Sequence, residues 1–197
     1  TGEDEGGMDV FVRSLEGDNL IRLTEDPGLD ASPVWSQQGR LIAFVSTRSG
    51  DKEIWLANLD NPDSRFRNLS LSSESAETHP AWSPDGRYLA WVSTEPGVKS
   101  LYVWDSEGSQ PRGLEVGTGD WPAWDPEGLS LITSLVGPNA TYLTGYQLNA
   151  SGLVLPPITV HGAIQGLSWS RAGLSGRLPE ALAAAAQFTP APLFKPV

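Results

Sequence analysis

The sequence predicts an all-β fold: a β-propeller of four-stranded antiparallel blades, with about three complete blades and a part-blade at each end. Three observations carry this. Four of the eight tryptophans open one short pattern, W-[SD]-x-x-G: Trp35-Ser36-Gln37-Gln38-Gly39, Trp82-Ser83-Pro84-Asp85-Gly86, Trp124-Asp125-Pro126-Glu127-Gly128 and Trp169-Ser170-Arg171-Ala172-Gly173. These tryptophans stand 47, 42 and 45 residues apart, and a period in the low to middle forties is that of one propeller blade. Each interval also holds apolar runs of strand length separated by polar or Gly-containing turns, which is how a meander of short strands is written.

Within a unit the elements follow in a fixed order. A Pro-x-Trp strand comes first, at Pro33-Val34-Trp35, Pro80-Ala81-Trp82 and Pro122-Ala123-Trp124. The Gly-containing turn follows, with Pro setting φ, Asp capping the turn and Gly supplying positive φ. Second strands are predicted at Leu41–Val45, Tyr88–Val92 and Leu131–Thr133. Their unbroken apolar character suits strands buried on both faces, as stacked blades require. Third strands fall at Ile54–Leu56, Leu101–Trp104 and Tyr142–Thr144, and shorter fourth strands at Phe66–Ser70, Arg112–Glu115 and Pro157–Val160. Trp55, Trp91 and Trp104 are expected to be wedges between blades, with burial of such rings the main stabilising term.

Phase defines the rest of the organisation. Residues 1–7 (TGEDEGG) read as a linker or trimmed end. Residues 8–25 match the third and fourth strands of a blade, blades follow at 33–70, 80–116 and 122–160, and 167–173 begin another. An incomplete propeller is therefore expected, as part of a larger ring. A small four-bladed closure, or a homodimer whose chains complete one ring jointly, also satisfies the pattern, since propellers close at about four to eight blades. Residues 174–197 leave the repeat: Pro179–Gln187 has strong helix propensity with Pro in the first turn, and Pro190, Pro192 and Pro196 favour an extended tail.

Charge narrows the partners. Thirteen Lys and Arg stand against 24 Asp and Glu, a net of −11. Such a surface repels nucleic acid, whose affinity rests on cationic contacts to phosphate, and repels anionic lipid. A protein or peptide partner, preferably cationic, fits better. The absence of cysteine excludes disulfides, thiolate metal sites and cysteine nucleophiles. No apolar stretch approaches the roughly 20 residues that span a bilayer.

Catalytic signatures are missing. The two histidines are His79 and His161, and no G-x-S-x-G elbow, P-loop, dinucleotide fingerprint or EF-hand loop occurs. Ser49-Gly50-Asp51-Lys52 fits S-x-x-K but lies in a predicted hairpin loop without partner motifs. Three N-x-[ST] triplets, at Asn68, Asn139 and Asn149, are consistent with chance. One constellation stands out. The residues just before each Pro-x-Trp fall where the innermost strand begins, at the mouth of a central channel: Asp30 and Ser32, Glu77 and His79, Asp120 and Trp121, then Gln165. Carboxylates with one His there suit a basic peptide end, and a divalent cation is a compatible cofactor although none is required. In the alternative, these acids serve backbone groups and hold the repeat together. Trp121 falls outside the regular pattern and is expected to be an exposed contact; His161 is expected to face solvent.

The string from Asp30 to Trp55 (DASPVWSQQGRLIAFVSTRSGDKEIW) resembles one repeat of the TolB-like propellers, whose motif runs roughly D-x-S-P-x-W-S-P-D-G-[RK]-x-I-A-F-x-S-x-R-x-G-x-x-x-I-[YW]. Residues 78–105 are similar through the core Pro80–Trp91, and the third unit keeps Pro122, Trp124, Pro126 and Gly128 while its later strands drift. The resemblance covers roughly residues 8–173. It implies a propeller of six or seven blades when complete, in a family of periplasmic scaffold proteins, peptidase accessory domains and some lyases. A non-catalytic binding module of a larger cell-envelope or secreted protein is therefore expected, periplasmic or extracellular. The alternative is the accessory propeller of a hydrolase or lyase whose catalytic residues lie elsewhere.

Overall fold

A computed structural model describes residues 7–72, 74–148 and 153–169. Fourteen strands occur among the described residues, all paired antiparallel with their sequence neighbours. A hairpin of β1 (Phe11–Arg13) and β2 (Leu20–Arg22) comes first. Blade 1 is β3 (Asp30–Trp35), β4 (Leu41–Ser46), β5 (Glu53–Asn58) and β6 (Phe66–Asn68). Blade 2 is β7 (Ala76–Trp82), β8 (Tyr88–Glu95), β9 (Val98–Asp105) and β10 (Leu114–Thr118). Blade 3 is β11 (Asp120–Trp124), β12 (Ser130–Val136), β13 (Thr141–Gln147) and β14 (Leu153–Val160). The propeller architecture expected from the repeat is thus present.

The W-[SD]-x-x-G pattern is the β-turn between first and second strands. Gly39, Gly86 and Gly128 donate their amides to the carbonyls of Ser36, Ser83 and Asp125 at 2.7, 2.9 and 2.9 Å. All three take positive φ, between 73° and 79°, which a Cβ disfavours. The first position accepts a second bond: Ser83 Oγ from the Tyr88 amide, and Asp125 Oδ1 from the amides of Leu129 and Ser130. Motif spacing and turn geometry are one fact.

Seams between blades form the core. Along β4, Ile42 and Phe44 face Val10 and Leu23 of the terminal part-blade, while Ala43 and Val45 face Leu89 and Trp91 of blade 2. Along β8, Ala90 and Val92 turn instead to Trp124 and Leu131 of blade 3. Strands β4 and β8 are buried on both sides, as their unbroken apolar runs predict, while Ile132 and Leu135 of β12 are half-buried. Backbone bonds stitch the same seams, from the amides of Asp30, Glu77 and Gly119 to the carbonyls of Met8, Lys52 and Lys99 at 2.7, 2.8 and 2.9 Å. The motif tryptophans add another: Trp82 Nε1 donates to the Val34 carbonyl at 3.2 Å and Trp124 Nε1 to the Ala81 carbonyl at 2.9 Å.

The boundaries differ from expectation in instructive ways. The inner strands begin two to four residues before each Pro, at Asp30, Ala76 and Asp120. Their ladders break at the Pro, which has no amide to donate, and pairing resumes upstream across an irregularity between Ala31 and Val34, Thr78 and Ala81, and Asp120 and Ala123. In blade 3 the drifted stretches still form full strands, because backbone pairing tolerates Thr133, Ser134, Thr141 and Thr144 as buried members. Strand β14 starts well before Pro157; at the outer edge of a sheet a missing donor is tolerated. Leu167–Trp169 makes no strand pairing, while 1–6, 170–173 and the predicted helix and tail at 174–197 lie outside the described residues.

Candidate binding site on the inner strands

The inner strands β3, β7 and β11 adjoin one another, so equivalent positions on them form rows. The two residue types anticipated at the strand starts separate into two such rows with different work to do.

The first row is acidic and buried. Asp30 accepts from Arg48 Nη2 at 2.8 Å, and Arg48 Nη1 also meets Asp26 at 2.7 Å. That guanidinium lies over Phe44, Trp55 and Phe66, its Cζ 4.8–5.3 Å from their ring centroids. Glu77 Oε1 accepts from Ser75 Oγ at 2.6 Å and Ser93 Oγ at 2.9 Å. Asp120 accepts from Lys99 Nζ, from its neighbour's amide at Trp121, and lies 2.9 Å from His79 Nδ1. Asp30 is engaged inside blade 1, Glu77 by Ser75 and by Ser93 of β8, and Asp120 across the seam between blades 2 and 3, so the three do not present a shared cluster of free oxygens. Among the described residues no group of three or more His, Cys, Asp or Glu is arranged to hold a metal ion.

The second row is Ser32, His79 and Trp121, each immediately before a Pro. All three are left-handed, with φ of 51°, 53° and 55°. A non-Gly residue pays steric strain there, of order 1–2 kcal/mol, and the residue before Pro is ordinarily extended. The repetition over three blades makes this a built feature, tied to the ladder irregularity at the same place. Ser32 is exposed; His79 and Trp121 are half-buried. Their rings stack with centroids 3.7 Å apart at 26°. The anticipated exposed Trp121 is therefore one face of a two-ring platform. Burial holds the His79 imidazolium below its ordinary pKa, with Asp120 opposing and Lys99 and Lys52 assisting, so the ring is neutral at pH 7.

Beside this platform, a cleft of about 500 Å³ runs between blades 2 and 3, lined by Lys99, Thr118, Asp120, Ser134 and Val136 among others. A second hollow, of about 460 Å³, is lined by the Pro-x-Trp residues of all three blades and by Leu167–Trp169. Gln165 is exposed and outside any strand, as is His161. The sequence reading missed Arg48, Glu53 and Lys99, which complete the acidic row; Arg48 was signalled by its place in the Ser-Thr-Arg stretch of the repeat.

Repeat, turn and seam geometry agree with a known family. The profile of the TolB β-propeller domain matches residues 1–173. The chain belongs to that family. Among its relatives, the Tol-Pal system protein TolB of Bordetella pertussis is 39% identical over 54 residues, which is 27% of this chain and 12% of that protein. The match thus spans about an eighth of the curated relative's length. The crystal structure of TolB from Acinetobacter baumannii superposes with a TM-score of 0.56 at 16% identity, over 74% of this chain and 39% of that one. A puromycin-hydrolyzing peptidase of Mycobacterium tuberculosis gives 0.56 at 20% identity, over 78% of this chain and 30% of that one. At these identities the structural likenesses concern the TolB-type propeller fold.

Proposed function

We propose that this TolB-type propeller is a non-catalytic module that binds a protein or peptide, cationic by preference, on its inner-strand surface. The observation carrying the reading is the row of left-handed, pre-proline residues ending in the His79–Trp121 stack. Strained backbone kept at equivalent positions is characteristic of ligand-facing sites, and Trp beside a half-buried His supplies contact area at low entropic cost. The net charge of −11 favours encounter with basic partners. Its match to proteins of the Tol-Pal system supports a periplasmic setting and a role within a larger cell-envelope protein.

A peptide-display selection against the intact chain tests this. Peptides enriched on the wild type should be enriched in Lys or Arg and should bind Trp121→Ala and His79→Ala at least tenfold more weakly, about 1.4 kcal/mol or more. Equal binding by both variants overturns the reading. Structural likeness to the M. tuberculosis peptidase favours, as the second reading, an accessory propeller of a hydrolase whose catalytic residues lie elsewhere; a purified chain that turns over no chromogenic peptide ester by itself yet raises the turnover of a hydrolase domain supplied in trans would favour it.

A further inference from the structure

The seam between blades 1 and 2 holds two buried carboxyl groups from different blades. Glu53 opens β5 and is 2% exposed; Glu77 lies in β7 and is 1% exposed. The Glu77 amide donates to the carbonyl of Lys52, next to Glu53, and Ser72 and Ser75 join the two carboxyl groups in one hydrogen-bonded network. Four serines surround them. Ser70 Oγ donates to Glu53 Oε2, which also accepts the Ser72 amide at 3.2 Å. Ser75 Oγ and Ser93 Oγ donate to Glu77 Oε1 at 2.6 and 2.9 Å. Ser72 Oγ and Ser75 Oγ are 2.6 Å apart, and since the Ser75 hydrogen is already given to Glu77, Ser72 must be the donor.

Counting hydrogens decides what is missing. All four hydroxyl hydrogens are used, yet Glu77 Oε2 is buried with no donor directed at it among the described residues. Two ionised carboxylates in one buried network, both out of water, repel one another and lose hydration without compensation. The charged neighbours do not supply the deficit. Lys52, just before β5, gives its carbonyl to the Glu77 amide and its side chain is exposed. Arg112, next to β10, lines a hollow of about 260 Å³ that reaches Glu77, together with Glu95 of β8 and Tyr102 of β9. Neither cation forms an ion pair with Glu53 or Glu77 among the described residues, and Glu95 adds negative charge.

We propose that Glu53 and Glu77 share one proton: Glu77 is the neutral acid, its Oε2–H donating to ionised Glu53, and this acid–carboxylate bond is a pH-sensitive latch on the seam between blades 1 and 2. The arrangement satisfies both oxygens of Glu77. In a neutral Glu77 the carbonyl oxygen Oε1 accepts the two serine hydroxyls and the hydroxyl oxygen Oε2 has its own hydrogen to give. The direction of titration agrees, since burial first and Glu53 further down hold the Glu77 carboxyl above its ordinary range. Loss of the shared proton at higher pH places two charges in the seam directly beneath the strand that carries His79.

The sign of the effect follows. A carboxyl whose folded pKa is raised binds its proton more tightly in the fold than in the unfolded chain. Stability therefore falls as pH rises from the ordinary glutamate value to the raised one. Urea unfolding of the full chain, from about pH 5 to pH 8, compared with Glu77→Gln and Glu53→Gln, tests the proposal. Gln at 77 carries a permanent donor in the place of the proton. The result expected is a wild-type midpoint that declines relative to Glu77→Gln as pH rises, with the variant the more stable at pH 8. Infrared spectroscopy at neutral pH should show a protonated carboxyl carbonyl band in the wild type that disappears in Glu77→Gln. A Glu77→Gln protein less stable than wild type at every pH, or a wild type without the band, overturns the proposal. If Glu77→Gln fails to fold, the infrared band in wild type and the flattened pH dependence of Glu53→Gln decide. The wild-type midpoint should be the same in calcium or magnesium chloride as in chelator; a metal-dependent rise makes the resident cation a metal ion and overturns the shared proton.

Discussion

Asp30 and Arg48 show how much of the fold rests on single charged contacts. Arg48 is stacked under three aromatic rings and bound to two aspartates, so it is held as a charged rivet inside blade 1. Removing one partner of a buried pair leaves the other charge stranded, at a cost of about 3–5 kcal/mol. Asp30→Ala should approach the lower end of that range, because Asp26 remains, and a chemical denaturation curve reads it directly. His79 gives a second expectation of opposite sign to Glu77. Its folded pKa is depressed, so its contribution is complete above the ordinary histidine value near 6.5 and is lost as pH falls below it. His79→Gln should flatten the acid side of the stability profile while leaving the pH 8 midpoint close to wild type. Positions 30, 77 and 120 could be chosen from the sequence because they repeat. Of their partners only Arg48 carried a signal, its place in the repeat, whereas Glu53 and Lys99 arrive from the preceding blades, and pairing across a seam leaves no local pattern. The left-handed backbone at Ser32, His79 and Trp121 runs against the local preference of a residue before Pro, so only the assembled blade reveals it.

At the scale of elements, the turn and the tryptophan seam were legible because both are written in fixed spacing. Gly86 has φ of 74°, and a Cβ there would stand 2.7 Å from Ser36 Oγ and 3.1 Å from the Gln38 amide. Gly86→Ala should therefore destabilise by at least about 1 kcal/mol, measured as a lowered melting temperature. Trp124→Phe keeps most of the buried ring but removes the Nε1 bond to the Ala81 carbonyl. Its cost, about 1–3 kcal/mol for an unsatisfied buried acceptor, should appear as loosening of the seam between blades 2 and 3. Strand limits were less legible. A ladder extends past the last apolar residue wherever a neighbouring strand continues to offer partners, as Ser93, Thr94 and Glu95 of β8 do against β9.

Across the whole molecule, the stack of blades leaves apolar side chains exposed at both ends among the described residues. Phe11, Leu20 and Ile21 of the first hairpin are largely exposed, as is Ile158 of blade 3, and Trp35 is 48% exposed where Trp82 and Trp124 are covered by the preceding blade. Apolar blade faces of this kind suit further blades, whether of the same polypeptide or of a second copy. Light scattering across a concentration series checks the homodimer: a mass of twice 21.1 kDa is the result expected if two chains complete one ring. Fold class was legible in full from four tryptophans and four glycines. The binding surface was legible only as a place, because its chemistry depends on which side chains the seams consume and which they leave facing outward.

Hydrogen exchange of the wild-type chain with and without a display-selected peptide bears most directly on the functional reading. Binding on the inner strands predicts added protection along β3, β7 and β11, centred on Ser32, His79 and Trp121, with little change in β6, β10 and β14. Protection confined to those outer strands, or absent from the inner ones, would contradict it.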